Sequence, residues 1–131
     1  MNYFLTEEQV MIKDLAAQIA KEKIAPLAAE YDEKQIFPNE IVKLLGQSDL
    51  FRVFIPEEYD GMGGGIFEMC LVVEELSKAC GGISLAYAAS GLGTIPIILF
   101  GNEEQKKKYL PKLAAGEIIA AFALTEPDAG S

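Results

Sequence analysis

The stretch that decides the fold is Ile83 to Phe100, I-S-L-A-Y-A-A-S-G-L-G-T-I-P-I-I-L-F, which contains no charged residue. This composition predicts a helix that is apolar on all sides, and such a helix belongs in the centre of a bundle. Several of its residues are small, which permits close helix packing or leaves room for a ligand. The rest of the chain is therefore expected to wrap around this helix.

Helices are predicted on both sides of this central stretch. The first begins with a capping box at Thr6 and is interrupted at Pro26. A short helix over residues 39–47 and a longer one over about 66–79 follow, and Asn102 caps a further helix with acids first and bases later. The predicted fold class is all-α, an up-and-down bundle of about five or six helices with a short C-terminal strand-like segment.

Three local features carry expectations of their own. The acidic, glycine-rich stretch 56–65 lacks the spacing of a phosphate loop, so it is interpreted as a flexible loop rather than a nucleotide cradle. The adjacent carboxylates of Glu74 and Glu75 could suggest general acid catalysis. Adjacent helical residues point in different directions and cannot share one substrate proton, so both are expected on a solvated helix face instead. Gly81 and Gly82 are expected to end the preceding helix.

The composition excludes several classes of function. With 20 acidic and 11 basic residues the net charge is -9, which argues against nucleic-acid binding. The chain has no histidine, and its two cysteines, Cys70 and Cys80, form no metal motif and are expected to be reduced, packed small hydrophobes. No apolar run free of charges and breakers reaches membrane-spanning length, and the N-terminus resembles no targeting signal. A cytoplasmic protein with no metal and no membrane or nucleic-acid partner is therefore expected.

The last stretch, residues 116–131, combines an apolar run with a polar turn. The run from Ile118 to Leu124 predicts one buried strand. The sequence T-E-P-D-A-G-S then breaks it with a proline and a glycine and offers two hydroxyl groups. On these residues alone the segment is either an ordinary turn at a strand end or a strand end that holds a polar ligand.

This ending, A-L-T-E-P-D-A-G-S, resembles the signature of the acyl-CoA dehydrogenase family. L-T-E-E-Q near the start, P-E-E-Y, V-E-E-L and G-N-E-E-Q-K-K-K-Y-L-P-K-L-A resemble the family in the same order along the whole chain. Asp60 stands where the family pattern has a glycine. The resemblance implies that residues 1–117 are the N-terminal helical domain and that residues 118–131 begin the middle β-domain.

The resemblance also implies cofactor and substrate residues. The last segment would pass beside FAD, and the expected cofactor-binding residues are Phe122, Leu124, Thr125, Gly130 and Ser131. The central helix would line the acyl pocket, and the expected substrate-binding residues are Leu85, Ala88, Ala89, Leu92 and Ser131. Plain core packing is the alternative for each residue of the helix.

The reaction implied is the α,β-dehydrogenation of an acyl-CoA thioester to a trans-2-enoyl-CoA, with electrons passed to electron-transfer flavoprotein, in an enzyme that is commonly a homotetramer. The family's catalytic base is a glutamate that no residue here matches, so no catalytic residue is expected and the chain alone is predicted to be inactive. Two alternatives stay open: a related flavoenzyme, such as an acyl-CoA oxidase or a flavin monooxygenase, and a non-enzymatic helical interaction module.

Overall fold

The computed structural model describes residues 4–130, and in this part of the chain the fold is an all-α bundle, as predicted. The α-helices are α1 (Glu7–Ile19), α2 (Ala28–Lys34), α3 (Asn39–Gln47), α4 (Ile66–Ala79), α5 (Gly81–Phe100) and α6 (Glu103–Ala114). A π-helical turn (Ala20–Ile24) extends α1, and two short 3-10 turns (Leu50–Arg52 and Glu57–Tyr59) lie between α3 and α4. The capping boxes predicted at Thr6 and Asn102 are both present, and the first helix is interrupted before Pro26.

The core forms where α4 packs against α1 and α5, and where α3 and α6 pack against the buried connection 50–55. Tyr87 of α5 is fully buried, and its hydroxyl donates to the Leu50 carbonyl oxygen at 2.9 Å. Its ring lies 5.2 Å from that of Phe51 and 6.0 Å from that of Phe54, measured between centroids. Burial raises the pKa of Tyr87, so the hydroxyl stays protonated and the hydrogen bond is kept. This contact fixes α5 against the connection.

The expectation that Glu75 is solvated is wrong. Its side chain is only 6% exposed and faces α1, whereas the adjacent Glu74 is exposed. Lys78 Nζ lies 2.7 Å and Lys13 Nζ 3.7 Å from Glu75 Oε1. A carboxylate can be buried at this place because lysines from both helices neutralise it.

Two further expectations around α4 need correction. Gly81 and Gly82 are the first residues of α5 rather than the end of α4, because Cys80 alone has the extended backbone that separates the two helices. Cys70 is exposed rather than packed in the core. It lies on the side of α4 that also carries exposed Ile66 and Phe67, which no neighbouring element of the described residues covers. Both cysteines are free thiols.

The glycine-rich loop is held in place, contrary to the expected flexible loop. The backbone N–H of Met62 donates to the Arg52 carbonyl at 2.8 Å, and that of Gly63 donates to the Ile55 carbonyl at 2.9 Å. Arg52 in turn donates from Nη1 to the Asp60 carbonyl at 2.6 Å. Asp60 has a φ of 64°, so the residue that replaces the family glycine adopts the left-handed conformation that glycine favours.

The predicted strand over residues 118–124 does not form within the described residues. Apart from Ala120, which is half-buried, these residues are exposed and have no regular secondary structure. A strand needs a neighbouring strand to pair its backbone groups, and the described part of the chain supplies none. The polar turn after it is present as a tight turn, in which Glu126 and Ala129 exchange backbone hydrogen bonds of 2.8 and 3.2 Å.

α5 has two unlike faces, which corrects the expectation that it is enclosed on all sides. Its buried residues are mostly small or polar: Ile83, Ser84, Tyr87, Ser90, Gly91 and Thr94. Its large apolar residues, such as Leu85 and Leu92, are exposed.

The same helix continues through Pro96 and is 20 residues long. By length and composition alone it could cross a membrane, a test that core helices of water-soluble proteins also pass.

Candidate functional site

The four predicted substrate-binding residues of α5 lie together on its open face. Leu85 is 63% and Leu92 50% exposed, and Ala88 and Ala89 between them are half-buried. Their spacing of three, four and seven residues places them on one side of the helix. We call these four residues the outer stripe. Plain core packing, the alternative, does not fit the exposed Leu85 and Leu92, whereas for the half-buried Ala88 and Ala89 the substrate role stays a prediction.

Polar contacts on the opposite side of α5 hold the outer stripe in its orientation. Ser84 Oγ donates to the Val73 carbonyl of α4 at 3.2 Å, and the hydroxyl of Ser77 donates to Ser84 Oγ at 3.0 Å. Thr94 Oγ1 donates to the Ser90 carbonyl one turn earlier, at 2.7 Å. Together with the Tyr87 hydrogen bond, these contacts hold the buried side of α5 against its neighbours, and the exposed leucines of the stripe lie outside these contacts.

The C-terminal segment crosses α5 beside the outer stripe. The backbone N–H of Ala120 donates to Ser90 Oγ at 3.1 Å. A Cβ atom on Gly93 would lie 2.7 Å from the Ala121 carbonyl oxygen and 2.8 Å from Ala120 Cβ, so only glycine allows this approach. The segment that continues into the predicted flavin residues is thereby brought against the helix that carries the predicted acyl residues.

The predicted flavin residues follow this crossing and are accessible. Phe122 is 46% and Leu124 57% exposed, and Thr125 and Gly130 are also exposed. Ser131, which was predicted to contact both flavin and substrate, lies outside the described residues. An exposed aromatic and an aliphatic side chain, followed by a hydroxyl in irregular backbone, fit a cofactor that presents a flat ring and polar edges. The role of these residues in binding FAD stays a prediction.

The sequence shows Ser90 and Gly93 only as small residues of an apolar stretch and does not reveal their role in the crossing. Ser90 is 2% exposed, and its hydroxyl is the hydrogen-bond partner of the segment. A serine followed three residues later by a glycine on one helix side is a weak signal, because it appears equally in ordinary close helix packing. The contact depends on residue 120, which no local pattern connects to this helix.

A groove lies elsewhere on the bundle and contains no residue of the outer stripe. It is a groove of about 1100 Å³ between α1 and the glycine-rich loop, and its lining includes Met11, Leu15, Met62 and Glu57. It collects none of the predicted site residues. Within residues 4–130 no cluster of acidic or cysteine side chains could hold a metal ion, and Glu126 of the signature is exposed in its turn.

Comparison with known proteins identifies the family of this chain. Residues 6–117 match the family model described as "Acyl-CoA dehydrogenase, N-terminal domain". The chain belongs to the acyl-CoA dehydrogenase family.

Individual relatives match the chain along its whole length. A probable acyl-CoA dehydrogenase of Bacillus subtilis is 45% identical over 132 residues, covering 100% of this chain and 35% of the relative. A 3-(aryl)acrylate reductase of Clostridium sporogenes is 45% identical over 130 residues, covering 98% and 34%. A crystal structure of an acyl-CoA dehydrogenase complexed with FAD from Bacillus anthracis has a TM-score of 0.86 and 41% identity, covering 97% of this chain and 22% of that one. The chain thus spans about 35% of the curated relatives that it matches.

Proposed function

We propose that this chain is the N-terminal helical part of an FAD-dependent acyl-CoA dehydrogenase that converts an acyl-CoA thioester to a trans-2-enoyl-CoA. The observation that carries the proposal is the crossing of α5 by residues 120–121, which brings the open outer stripe and the accessible segment 122–125 together. Membership of the family and the similarity to an enzyme complexed with FAD support the cofactor assignment.

The outer stripe supplies one wall of an acyl-chain site. Leu85 and Leu92 offer apolar surface, and we propose that the small side chains of Ala88 and Ala89 leave a recess between them. Burying an acyl chain there removes apolar surface from water on both sides, worth about 25 cal/mol per Å². The same burial excludes water from the bond that reacts.

The segment 122–125 supplies one side of the cofactor site. Phe122 and Leu124 offer apolar surface to a flat ring, and Thr125 can donate and accept a hydrogen bond at its edge. FAD, when bound, supplies the acceptor for the β-hydride. Removal of the α-proton requires a carboxylate base placed on the α-carbon. None of the residues brought to the outer stripe is a carboxylate, so we propose that the base comes from elsewhere in the enzyme and that this chain alone is inactive.

The experiment that tests this proposal is an anaerobic titration of the full-length protein that carries this chain. The purified protein is mixed with short, long, branched and aromatic acyl-CoAs, and the visible flavin band is followed. Bleaching by one class identifies a dehydrogenase half-reaction and its substrate. A yellow protein that no acyl-CoA bleaches contradicts the proposal and favours another flavoenzyme, and rapid reoxidation by oxygen would identify an oxidase. A colourless protein favours the non-enzymatic module.

A second candidate is the reverse reaction, the reduction of an enoyl thioester or acrylate. It is favoured by one observation, the 45% identity to a protein named 3-(aryl)acrylate reductase. The outer stripe serves either direction, because an acyl and an enoyl chain bury similar apolar surface. A chemically reduced enzyme that is reoxidised rapidly by an arylacrylyl thioester, while no saturated acyl-CoA bleaches the oxidised enzyme, would support this direction.

The electron acceptor and the oligomeric state are proposals that rest on the family resemblance, and the cellular location is a proposal of its own. We propose that electrons pass to electron-transfer flavoprotein, that the enzyme is a homotetramer and that it works in the cytoplasm. Light scattering of the full-length protein tests the oligomer. Flavin reoxidation by purified electron-transfer flavoprotein, compared with reoxidation by oxygen, tests the electron acceptor.

A further inference from the structure

Residues 119–125 have a single hydrogen bond in the part of the chain that the structure describes, the one from the Ala120 N–H to Ser90 Oγ. Before it, the backbone N–H groups of Glu117 and Ile118 donate to the Lys112 carbonyl at the end of α6. After it, the next hydrogen bonds belong to the turn at Glu126. The path of residues 119–125 therefore depends on the hydrogen bond between the Ala120 N–H and Ser90 Oγ.

The Ser90 hydroxyl oxygen is well placed to accept a hydrogen bond from this N–H. It is 2% exposed, so water does not compete for its hydroxyl oxygen. Its place on α5 is fixed from the buried side, where Thr94 donates to its carbonyl and Tyr87 donates to Leu50. Since an N–H at a half-buried position costs free energy when it loses its partner, removing the hydroxyl acts directly on the segment.

Gly93 provides the second half of the contact. With a Cβ atom at this position, the backbone of Ala121 would have to move, because the three nearest atoms all lie within 2.8 Å and two of them are backbone atoms. The absence of a side chain at Gly93 therefore sets how closely the segment approaches α5, and Ser90 sets where along the helix it crosses.

We propose that Ser90 and Gly93 are positioning residues that hold segment 119–125 against α5 and so set the place of the flavin-contacting residues relative to the outer stripe. Neither side chain needs to touch substrate or cofactor for this role. The part of the inference that concerns flavin rests on the proposed function, whereas the part that concerns the segment does not.

The first test measures the segment itself. Amide hydrogen exchange at residues 120–124 is followed by NMR in the 131-residue chain. Ser90→Ala is expected to speed exchange at Ala120 by about three- to tenfold, the effect of one net hydrogen bond. Gly93→Ala is expected to shift the resonances of Ala120 and Ala121 and to speed their exchange as well.

Matched controls remove a hydroxyl or add a Cβ elsewhere in the bundle. Ser48→Ala removes a half-buried hydroxyl at the end of α3, and the single hydrogen bond of the segment does not involve it. Gly81→Ala adds a Cβ where no atom lies within 4 Å. Both controls are expected to leave exchange at residues 120–124 unchanged. Wild-type exchange in Ser90→Ala and in Gly93→Ala would overturn the inference, and so would equal acceleration in the controls.

The second test uses the full-length flavoprotein. Ser90→Ala and Gly93→Ala are expected to weaken FAD binding and to lower kcat by about tenfold or more while KM for acyl-CoA changes little, because displacement of a reacting group by about 1 Å is costly. Wild-type kcat and FAD affinity in both variants would overturn the positioning role while the proposed function stands. A wild-type protein without flavin would overturn the proposed function, and the exchange measurement would still decide whether Ser90 and Gly93 hold the segment.

Discussion

Gln9 Nε2 donates to Glu68 Oε1 across 2.7 Å and joins the starts of two helices that are 59 residues apart in sequence. Gln9 already closes the capping box of α1, since its Oε1 accepts from the Thr6 N–H at 2.9 Å. Glu68 does the same for α4, because its Oε2 accepts from the Gly65 N–H at 2.7 Å. One amide and one carboxylate therefore serve two helix N-termini and the contact between them.

Removal of the Gln9 side chain is expected to affect both helix starts. Gln9→Ala should lower the free energy of unfolding by about 1–2 kcal/mol, because a cap and a hydrogen bond to a charged group are lost together. Gln18→Ala is the control, since the Gln18 amide bonds only exposed Glu22 one turn away and should cost less than about 0.5 kcal/mol. Urea denaturation measures both, and equal losses would contradict the link.

The same link predicts a dependence on acid pH. Donation from Gln9, and next from the Gly65 N–H, lowers the pKa of Glu68 below its ordinary 4.5. A carboxyl group whose pKa is lowered on folding stabilises the fold fully at pH values above its pKa in the unfolded chain. This contribution is lost as the pH falls through its pKa in the folded protein. Gln9→Ala should therefore lose less stability than wild type between about pH 6 and about pH 3. Parallel pH profiles of the two proteins would show that the link does not act on Glu68.

Substitution of the neighbouring Glu74 and Glu75 should destabilise the fold to different extents. Glu75→Ala should destabilise the fold by about 1–3 kcal/mol, because it removes the buried partner of Lys13 and Lys78, which are themselves partly hydrated. Glu74→Ala makes the same chemical change one residue earlier, where the carboxylate is exposed, and should cost less than about 0.5 kcal/mol. Thermal and urea unfolding of both variants measure the two losses of stability. Equal losses in Glu74→Ala and Glu75→Ala would contradict the prediction.

The Tyr59 hydroxyl predicts a loss of stability at alkaline pH. It donates to the Glu103 carboxylate at 3.1 Å, and burial together with this carboxylate raises the pKa of Tyr59 to about 12. A group whose pKa rises from 10.0 on folding stabilises the fold below pH 10 and loses that contribution as pH rises through about 12. The stability difference between wild type and Tyr59→Phe should therefore shrink across this range. A difference that stays constant across this range would contradict the link between Tyr59 and Glu103.

Filling the recess of the outer stripe should change the acyl chains that the full-length enzyme accepts. Ala88→Phe is expected to lower kcat/KM for long acyl-CoAs by about tenfold or more relative to short ones, because the ring occupies space that the distal carbons need. Ala29→Phe on the exposed side of α2 adds the same ring away from the site and should leave the ratio unchanged. An unaltered chain-length ratio in Ala88→Phe would remove this residue from the acyl site.

Much of the fold could be predicted from local pattern. The capping boxes at Thr6 and Asn102, and the long uncharged stretch of α5, are set by residues close together in sequence, and these predictions are confirmed. The burial of Glu75 could not be predicted from its neighbours in sequence. It depends on Lys13, which lies 62 residues earlier and which no pattern around Glu75 reveals. Segment 118–124 was misassigned because apolar composition favours a strand only where a partner strand exists.

The candidate site divides in the same way. The outer stripe could be placed on one side of a helix by counting residues, and the structure brings Leu85, Ala88, Ala89 and Leu92 to one open face. Their role as substrate residues stays a prediction. The contact of Ser90 with Ala120 could not be predicted, because it joins residues 30 apart through a backbone N–H that every residue except proline carries.

The two faces of α5 reverse the usual relation between hydrophobicity and mutational tolerance. In a library of substitutions scored by cellular abundance of this domain, a hydropathy scale would rank Leu85 and Leu92 as sensitive and Ser90 and Thr94 as permissive. The structure implies the opposite ranking, because the leucines are exposed and the hydroxyl residues are enclosed with defined partners. Selection on catalysis instead of abundance would make the leucines sensitive again, so comparing the two scores would separate residues kept for folding from residues kept for chemistry.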